Sequence, residues 1–250
     1  MAYEASSVTT VSTGVDISSQ SALPAVDRIK ALILERGLRP GDPMPTENEL
    51  KSTLEISRSS VREAIRTLAT LDIVDVKHGY GTFVGSFSLN HLTDGLAFRS
   101  LATSGQSVDS LQEVVLVRQT IDTGLAETVT ATLQGTSNPQ LRSLVAEMTA
   151  LSERGESFAT QDREFHTILL ASLPRCELLG QLVESLWRVH TEVTPLLGVP
   201  QPREIHRTVA AHGAMLNAAE AGDTAAYRQA VADHYAPLHD VLAHYSPESR

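Results

Sequence analysis

The sequence predicts a mainly α-helical protein in two parts, an N-terminal winged helix-turn-helix and a C-terminal all-α antiparallel bundle of about seven helices. Three observations lead there. Apolar residues recur at helical spacing through most of the chain. A β-hairpin pattern occurs once, at residues 73–84. The composition is 42% hydrophobic but only 4% aromatic, which favours helices over a β-sandwich.

The first 23 residues are Ser/Thr-rich with no helical stripe and read as a disordered tail. The tail carries no basic residue, so it reads as neither a secretory signal nor a transit peptide. Residues 24–85 form the first domain. Val26, Ile29, Leu32 and Ile33 share one helical face, and Gly37 ends that helix. Arg39-Pro40-Gly41-Asp42 is a turn. Thr46-Glu47-Asn48-Glu49 is a capping box that opens a second helix, packed through Leu50 and Leu54. After a break at Glu55-Ile56, Ser57 caps a third helix with Val61, Ala64, Ile65 and Leu68 on one arc. Ile73 to Val76, the turn Lys77-His78-Gly79-Tyr80 and Gly81 to Val84 complete the wing.

Residues 86–250 form the second domain. Helical segments are expected at about 89–103, 108–134, 138–152, 157–173, 175–198, 203–221 and 223–245. Breakers separate them: Ser104-Gly105, Asn138-Pro139, Gly155, Pro174, Pro200/Pro202 and Gly222-Asp223.

Composition excludes several classes. No apolar run approaches the ~20 residues of a membrane span. The single cysteine, Cys176, rules out an internal disulfide framework and a Cys-based zinc finger, and a reducing, cytoplasmic compartment fits. The net charge of −10 argues against indiscriminate coating of nucleic acid. Charge is uneven, however: residues 24–85 hold nine basic and nine acidic side chains, and residues 86–250 hold 11 and 19. Two domains with different partners follow.

On the third helix Arg58, Arg62 and Arg66 recur every four residues beside the apolar arc. Such a helix packs on its own domain and presents arginines outward. An α-helix fits the major groove, where arginine reads guanine with a bidentate fork. Ser57, Ser59 and Ser60 stand at the helix N-terminus, suited to phosphates. His78 and Gly79 at the hairpin tip are placed to approach a minor groove. Arg66 and Lys77 suit backbone contacts or solvent.

The second domain offers a candidate metal centre. Asp162 and His166 are spaced i, i+4 and leave one helix face on successive turns. His212 lies ten residues before Gly222, and His234 eleven after Asp223. Each is therefore roughly 15 Å from the turn, and an antiparallel hairpin sets them at one height. His206 and His239 fall about 120° and 140° round their helices from these two. The four residues make a three-histidine, one-carboxylate set suited to Zn²⁺, Ni²⁺, Mn²⁺ or Fe²⁺, and ligand softness does not choose among them. The alternative is a buried network of hydrogen-bonded histidines.

The stretch "GLRPGDPMPTENELKSTLEISRSSVREAIRTLATLDIVDVKHGYGTFV" resembles the winged helix of GntR-type bacterial transcription regulators. The resemblance implies that Arg58 and Arg62 touch operator bases, that the surrounding hydroxyls meet the backbone, and that Gly79 approaches the minor groove. Asn48 stands where the family often has arginine, and is expected to bond a phosphate or a base. Residues about 89–245 resemble the FCD effector domain of the FadR subfamily, on "DREFHTILLAS" and "HGAMLNAAEAGDTAAYRQAVADHYAPL". That resemblance implies metal ligation by Asp162, His166, His212 and His234, with zinc the first expectation and nickel, manganese or iron open. The segment Ser172-Leu173-Pro174-Arg175 departs from the family pattern. The metal branch senses small organic acids. Arg118, on "LQEVVLVRQTIDTGLAETV", matches an arginine facing the cavity, suited to binding a carboxylate or to a salt bridge with Asp122. Trp187 and Arg188 are further cavity candidates, with core packing favoured for Trp187.

The resulting expectation is a ligand-responsive repressor that binds palindromic double-stranded operator DNA as a homodimer, with no membrane partner. One alternative is a regulator that senses the metal ion itself. A second is a metalloenzyme fused to a DNA-binding module. The sequence shows no HExxH, and Glu164 faces away from Asp162, so an enzyme is not expected.

Overall fold

The computed structural model describes residues 23–103, 108–200 and 205–245. The expected disordered tail lies outside the described residues, apart from Leu23. The chain divides into two compact units, Met1–Ser88 and Leu89–Arg250.

The first unit contains α1 (Ala25–Glu35), α2 (Glu47–Thr53), α3 (Arg58–Thr70), β1 (Val74–Lys77) and β2 (Gly81–Val84). Local chemistry sets the helix starts. The Thr46 hydroxyl accepts from the Glu49 amide at 3.3 Å, and the Glu49 carboxylate accepts from the Thr46 amide at 2.8 Å. Ser57 Oγ accepts from the Ser60 amide at 3.0 Å. Between α2 and α3 the chain turns through Glu55, a non-glycine residue at φ 48°. The apolar arc of α3 (Val61, Ala64, Ile65, Leu68) is buried against Ile29, Leu32 and Ile33 of α1 and Leu50 of α2. The two strands pair antiparallel from Val74↔Val84 to Lys77↔Gly81. The chain before α2 lies against β2, where the Met44 amide donates to the Thr82 carbonyl at 2.8 Å. Gly85 closes the wing, and a Cβ there would collide with the Asp72 carbonyl.

The second unit contains α4 (Asn90–Thr103), α5 (Asp109–Gly124), α6 (Ala126–Leu133), α7 (Pro139–Glu153), α8 (Ala159–Ala171), α9 (Glu177–Leu196), α10 (Ile205–Ala221) and α11 (Thr224–His244). The expected helix at 108–134 is thus two helices. It breaks at Leu125, directly after Gly124, the poorest helix former apart from proline. The unit therefore has eight described helices where seven segments were expected. Its core joins Leu111, Val115, Met148, Phe165, Met215, Tyr227 and Tyr235. α10 and α11 form the most extensive helix pair. Gly222 at φ 75° makes the turn between them, and Asp223 Oδ1 caps α11 by accepting from the Ala226 amide at 2.9 Å. No helix of the described residues is long and apolar enough to cross a membrane.

Candidate functional site

In the first unit, α3 buries one side and leaves the other in water. Arg58, Arg62 and Arg66 project on that open side, their side chains 58%, 56% and 78% exposed. The arginines are not loose. Arg58 donates to Asn48 Oδ1 at 2.9 Å, and Arg62 Nε donates to the Glu47 carboxylate at 3.0 Å. Glu47 also lies 3.9 Å from Arg58. Asn48 and Glu47 on α2 therefore position Arg58 and Arg62 before any ligand arrives, whereas Arg66 lies 3.7 Å from Glu63 of its own helix. In the sequence Glu47 reads only as part of the capping box, and nothing local marks it as the partner of Arg62. Ser57 is bonded to Ser59 and Ser60, hydroxyl to hydroxyl at 2.8 Å, at the exposed N-terminus of α3. His78 and Gly79 sit exposed at the hairpin tip, and Gly79 takes φ 81°.

In the second unit, helices α8, α10 and α11 bring Asp162, His166, His212 and His234 together, and one ligand atom from each lies within 4.8 Å of the others. The His212 and His234 rings are 4.5 Å apart between centroids, and His166 and His234 are 5.1 Å apart. His212 Nε2 is 2.9 Å and His166 Nε2 3.4 Å from Asp162 Oδ1. The histidines are buried; Asp162 is 18% exposed.

This set fits a divalent transition ion. His212 Nδ1 faces the Thr208 carbonyl at 2.8 Å, a bond only its N–H can make, which in the neutral ring leaves the lone pair on Nε2. His166 Nε2 and His234 Nδ1 are buried with no hydrogen-bond partner, an arrangement that a purely structural histidine network would avoid. Burial opposes ionisation of Asp162, yet His166 and His212 beside it hold its carboxyl well below the usual range. Burial also disfavours charge on His166, but Asp162 and Asp122 outweigh it and raise its pKa. His234 is pushed well below the ordinary imidazole value by burial and by His212. Neutral His234 and ionised Asp162 are the states that ligate metal.

Behind the ligands stands a second group that the sequence did not reveal. Asp122 accepts from the Tyr235 hydroxyl at 2.7 Å and lies 3.8 Å from His166 Nδ1. The Arg118–Asp122 salt bridge considered from the sequence is replaced by this pairing. Arg118 is buried, lies over the Tyr235 ring at 5.6 Å, and leaves Nε without a partner. Asp122 and Arg118 sit one turn apart on α5, so spacing alone pairs them with each other and does not point to Tyr235.

A cavity of about 560 Å³ adjoins the cluster, lined by Arg118, Asp162, His190, His234 and Trp187 among others. Trp187, favoured as core from the sequence, borders this space instead. Arg188 pairs with Asn90 and Glu192. His190, one of nine histidines and unremarked in the sequence, has an unpartnered Nδ1, and burial with Arg118 nearby depresses its pKa to about 3. Glu164 is exposed and turned away, so no free carboxylate of that helix stands beside the ligands as a general base.

Comparison with known proteins agrees with both halves. Residues 22–84 match the gntR family of bacterial regulatory proteins, and residues 113–237 match the FCD domain. The chain is 26% identical over 216 residues to the HTH-type transcriptional regulator LutR of Bacillus subtilis, covering 85% of this chain and 96% of that protein. It is 24% identical over 175 residues to the galactonate operon transcriptional repressor of Escherichia coli, covering 68% and 76%. Among solved structures, a GntR protein of Streptococcus agalactiae superimposes with a TM-score of 0.58 at 25% identity, covering 86% of this chain and 97% of that one. These relatives are transcriptional regulators, not enzymes. The two matches, in this order and together spanning most of the folded chain, establish that it belongs to the gntR family of bacterial regulatory proteins and carries an FCD domain.

Proposed function

We propose that this regulator is a repressor that binds a palindromic operator as a homodimer and releases it when a small organic acid enters the second unit. The observation that carries the reading is the cavity of about 560 Å³ that runs onto Asp162 and His234 with Arg118 in its wall. Asp162, His166, His212 and His234 hold one divalent transition ion, zinc first. When bound, that ion supplies an electrophilic site for a carboxylate oxygen. Arg118 supplies a fork for the same carboxylate. A metal-sensing regulator would need no such cavity.

Arg58 and Arg62 read bases, with Asn48 in support. Ser57, Ser59 and Ser60 meet phosphates, and His78 with Gly79 approaches the minor groove. A twofold dimer matches a palindrome. Phe98, Leu116 and Val117, which are 73%, 57% and 46% exposed, offer apolar surface for a second copy. Repression is supported by the E. coli relative, a repressor of the galactonate operon.

The test begins with elemental analysis of the purified protein. An operator recovered from random duplexes is then titrated by fluorescence anisotropy, with and without small carboxylates. The reading expects about one metal per chain and weakened operator binding with an acid. Chelation alone switching DNA affinity, with no acid effective, would establish the metal-sensor alternative instead.

A further inference from the structure

We infer that the effector is a monocarboxylate with a hydrocarbon body of aryl-alkanoate size, rather than a short hydroxy acid or a sugar acid. This rests on the cavity being the effector pocket, and it adds the ligand's chemical class.

Three features of the cavity support it. The first is size. About 560 Å³ falls within the range of pockets that hold drug-sized molecules, on the order of 300–1,000 Å³. A three-carbon acid would leave most of that space unfilled.

The second is the division of the walls. Among the described lining residues, the buried polar atoms without partners are Arg118 Nε, His190 Nδ1 and, on a residue of the metal cluster, His234 Nδ1. They suit one anionic or hydrogen-bonding head. The remaining wall is mainly apolar, with Phe158, Trp187, Val199, Pro200, Ile205 and Leu238, and also carries the hydroxyls of Ser152, Thr191, Thr194 and Thr208. Glu156 and Ser157 also border the space, but both are exposed on the loop before α8, where the cavity meets water. Glu156 is moreover already paired with Arg154.

The third feature is that the threonine hydroxyls of the wall are already committed. Thr191 Oγ1 donates to the Trp187 carbonyl at 3.1 Å, Thr194 Oγ1 to the His190 carbonyl at 2.6 Å, and Thr208 Oγ1 to the His234 carbonyl at 3.4 Å. Three residues that look polar in the sequence thus spend their protons on helix backbone. A polyhydroxy acid would bring hydroxyls against threonines that have no proton left to donate, and each unpaired group opposes binding. A hydrocarbon body loses nothing there and gains from leaving water.

Trp187 is the only tryptophan of the chain and lines this cavity, so its fluorescence is a probe placed in the cavity wall. The experiment titrates zinc-loaded full-length protein with butyrate, hexanoate, octanoate, 4-phenylbutyrate, lactate and galactonate, following Trp187 emission and, in parallel, calorimetry. Affinity is expected to rise about fourfold per added methylene. 4-Phenylbutyrate should bind at least ~10-fold more tightly than lactate or galactonate. Leu238→Asn should flatten the chain-length dependence while leaving metal content unchanged. A flat or inverted series, or calorimetric binding without a Trp187 signal, overturns the inference. Tighter binding of lactate or galactonate overturns it too, yet leaves the organic-acid reading intact. No binding by any of these acids to metal-loaded protein removes both.

Discussion

Asn48 on α2 holds Arg58 on α3: its side-chain carbonyl accepts a hydrogen bond from the guanidinium at 2.9 Å across the turn between the two helices. An arginine fixed in this way loses less side-chain entropy when it meets a base. Asn48→Ala should weaken specific operator binding about 2- to 10-fold, the range of one solvent-exposed hydrogen bond. Arg58→Ala removes the proposed base contact itself and should cost about 1–3 kcal/mol. Anisotropy against operator and random duplexes distinguishes the two, and melting temperature should be unchanged in both, since the residues are exposed.

Ser57→Ala removes the oxygen that accepts from the Ser60 amide. The first unit should lose about 1 kcal/mol of stability, measured by urea unfolding of the full chain. The cap hydroxyl of Ser57 thus has a stability effect that Ser59→Ala should lack.

Much of this was legible beforehand, for physical reasons that differ between elements. Capping boxes and amphipathic arcs are local, so Thr46, Ser57 and the buried face of α3 could be read from spacing alone. The height match of His212 and His234 followed from helix rise and one turn. The break at Leu125 was not legible, because helical periodicity continues through Gly124 and only packing decides whether the chain bends. Asp122 was seen as a partner for Arg118 because i, i+4 spacing is visible in sequence. Its actual partner, Tyr235, comes from a helix more than a hundred residues away, and no local pattern encodes that pairing. The same holds for Glu47 with Arg62 and for His190 in the cavity wall.

His212→Ala should abolish stoichiometric metal binding, read by elemental analysis, while DNA-domain unfolding is unaltered. The proposed ligands come from three helices, so an ion binding only the native state also raises stability. Wild-type protein stripped by chelator should therefore melt lower than reloaded protein, and the variant should show no such difference.

Asp122→Asn keeps an acceptor for the Tyr235 hydroxyl but removes the charge 3.8 Å from His166 Nδ1. Metal affinity should fall about 10- to 100-fold, as when other outer carboxylates of histidine ligands are changed. Competition with a chelator of known affinity measures it, and unchanged affinity would assign Asp122 to Tyr235 alone.

The depressed pKa of His190, about 3 in the folded protein, makes stability depend on acid. Its native ring stays neutral, while the unfolded ring takes up a proton near pH 6.5. The contribution is complete above pH 6.5 and is lost as pH falls from there toward 3, by at most about 1.4 kcal/mol per pH unit. His190→Leu should flatten that part of the stability–pH curve, measured on metal-free protein by urea unfolding from pH 7 to 4.

The turn at Gly222-Asp223 has a further consequence for how this part of the molecule tolerates change. His212 and His234 meet because each is counted off from that corner, so the spacing is fixed in residues as well as in ångströms. A single insertion between 212 and 222 would swing the first imidazole by about 100° and raise it by about 1.5 Å. Side chains on the outer faces of this hairpin are free to drift, whereas its length is not: loops elsewhere can grow or shrink, but an insertion or deletion here would dismantle the centre in one step.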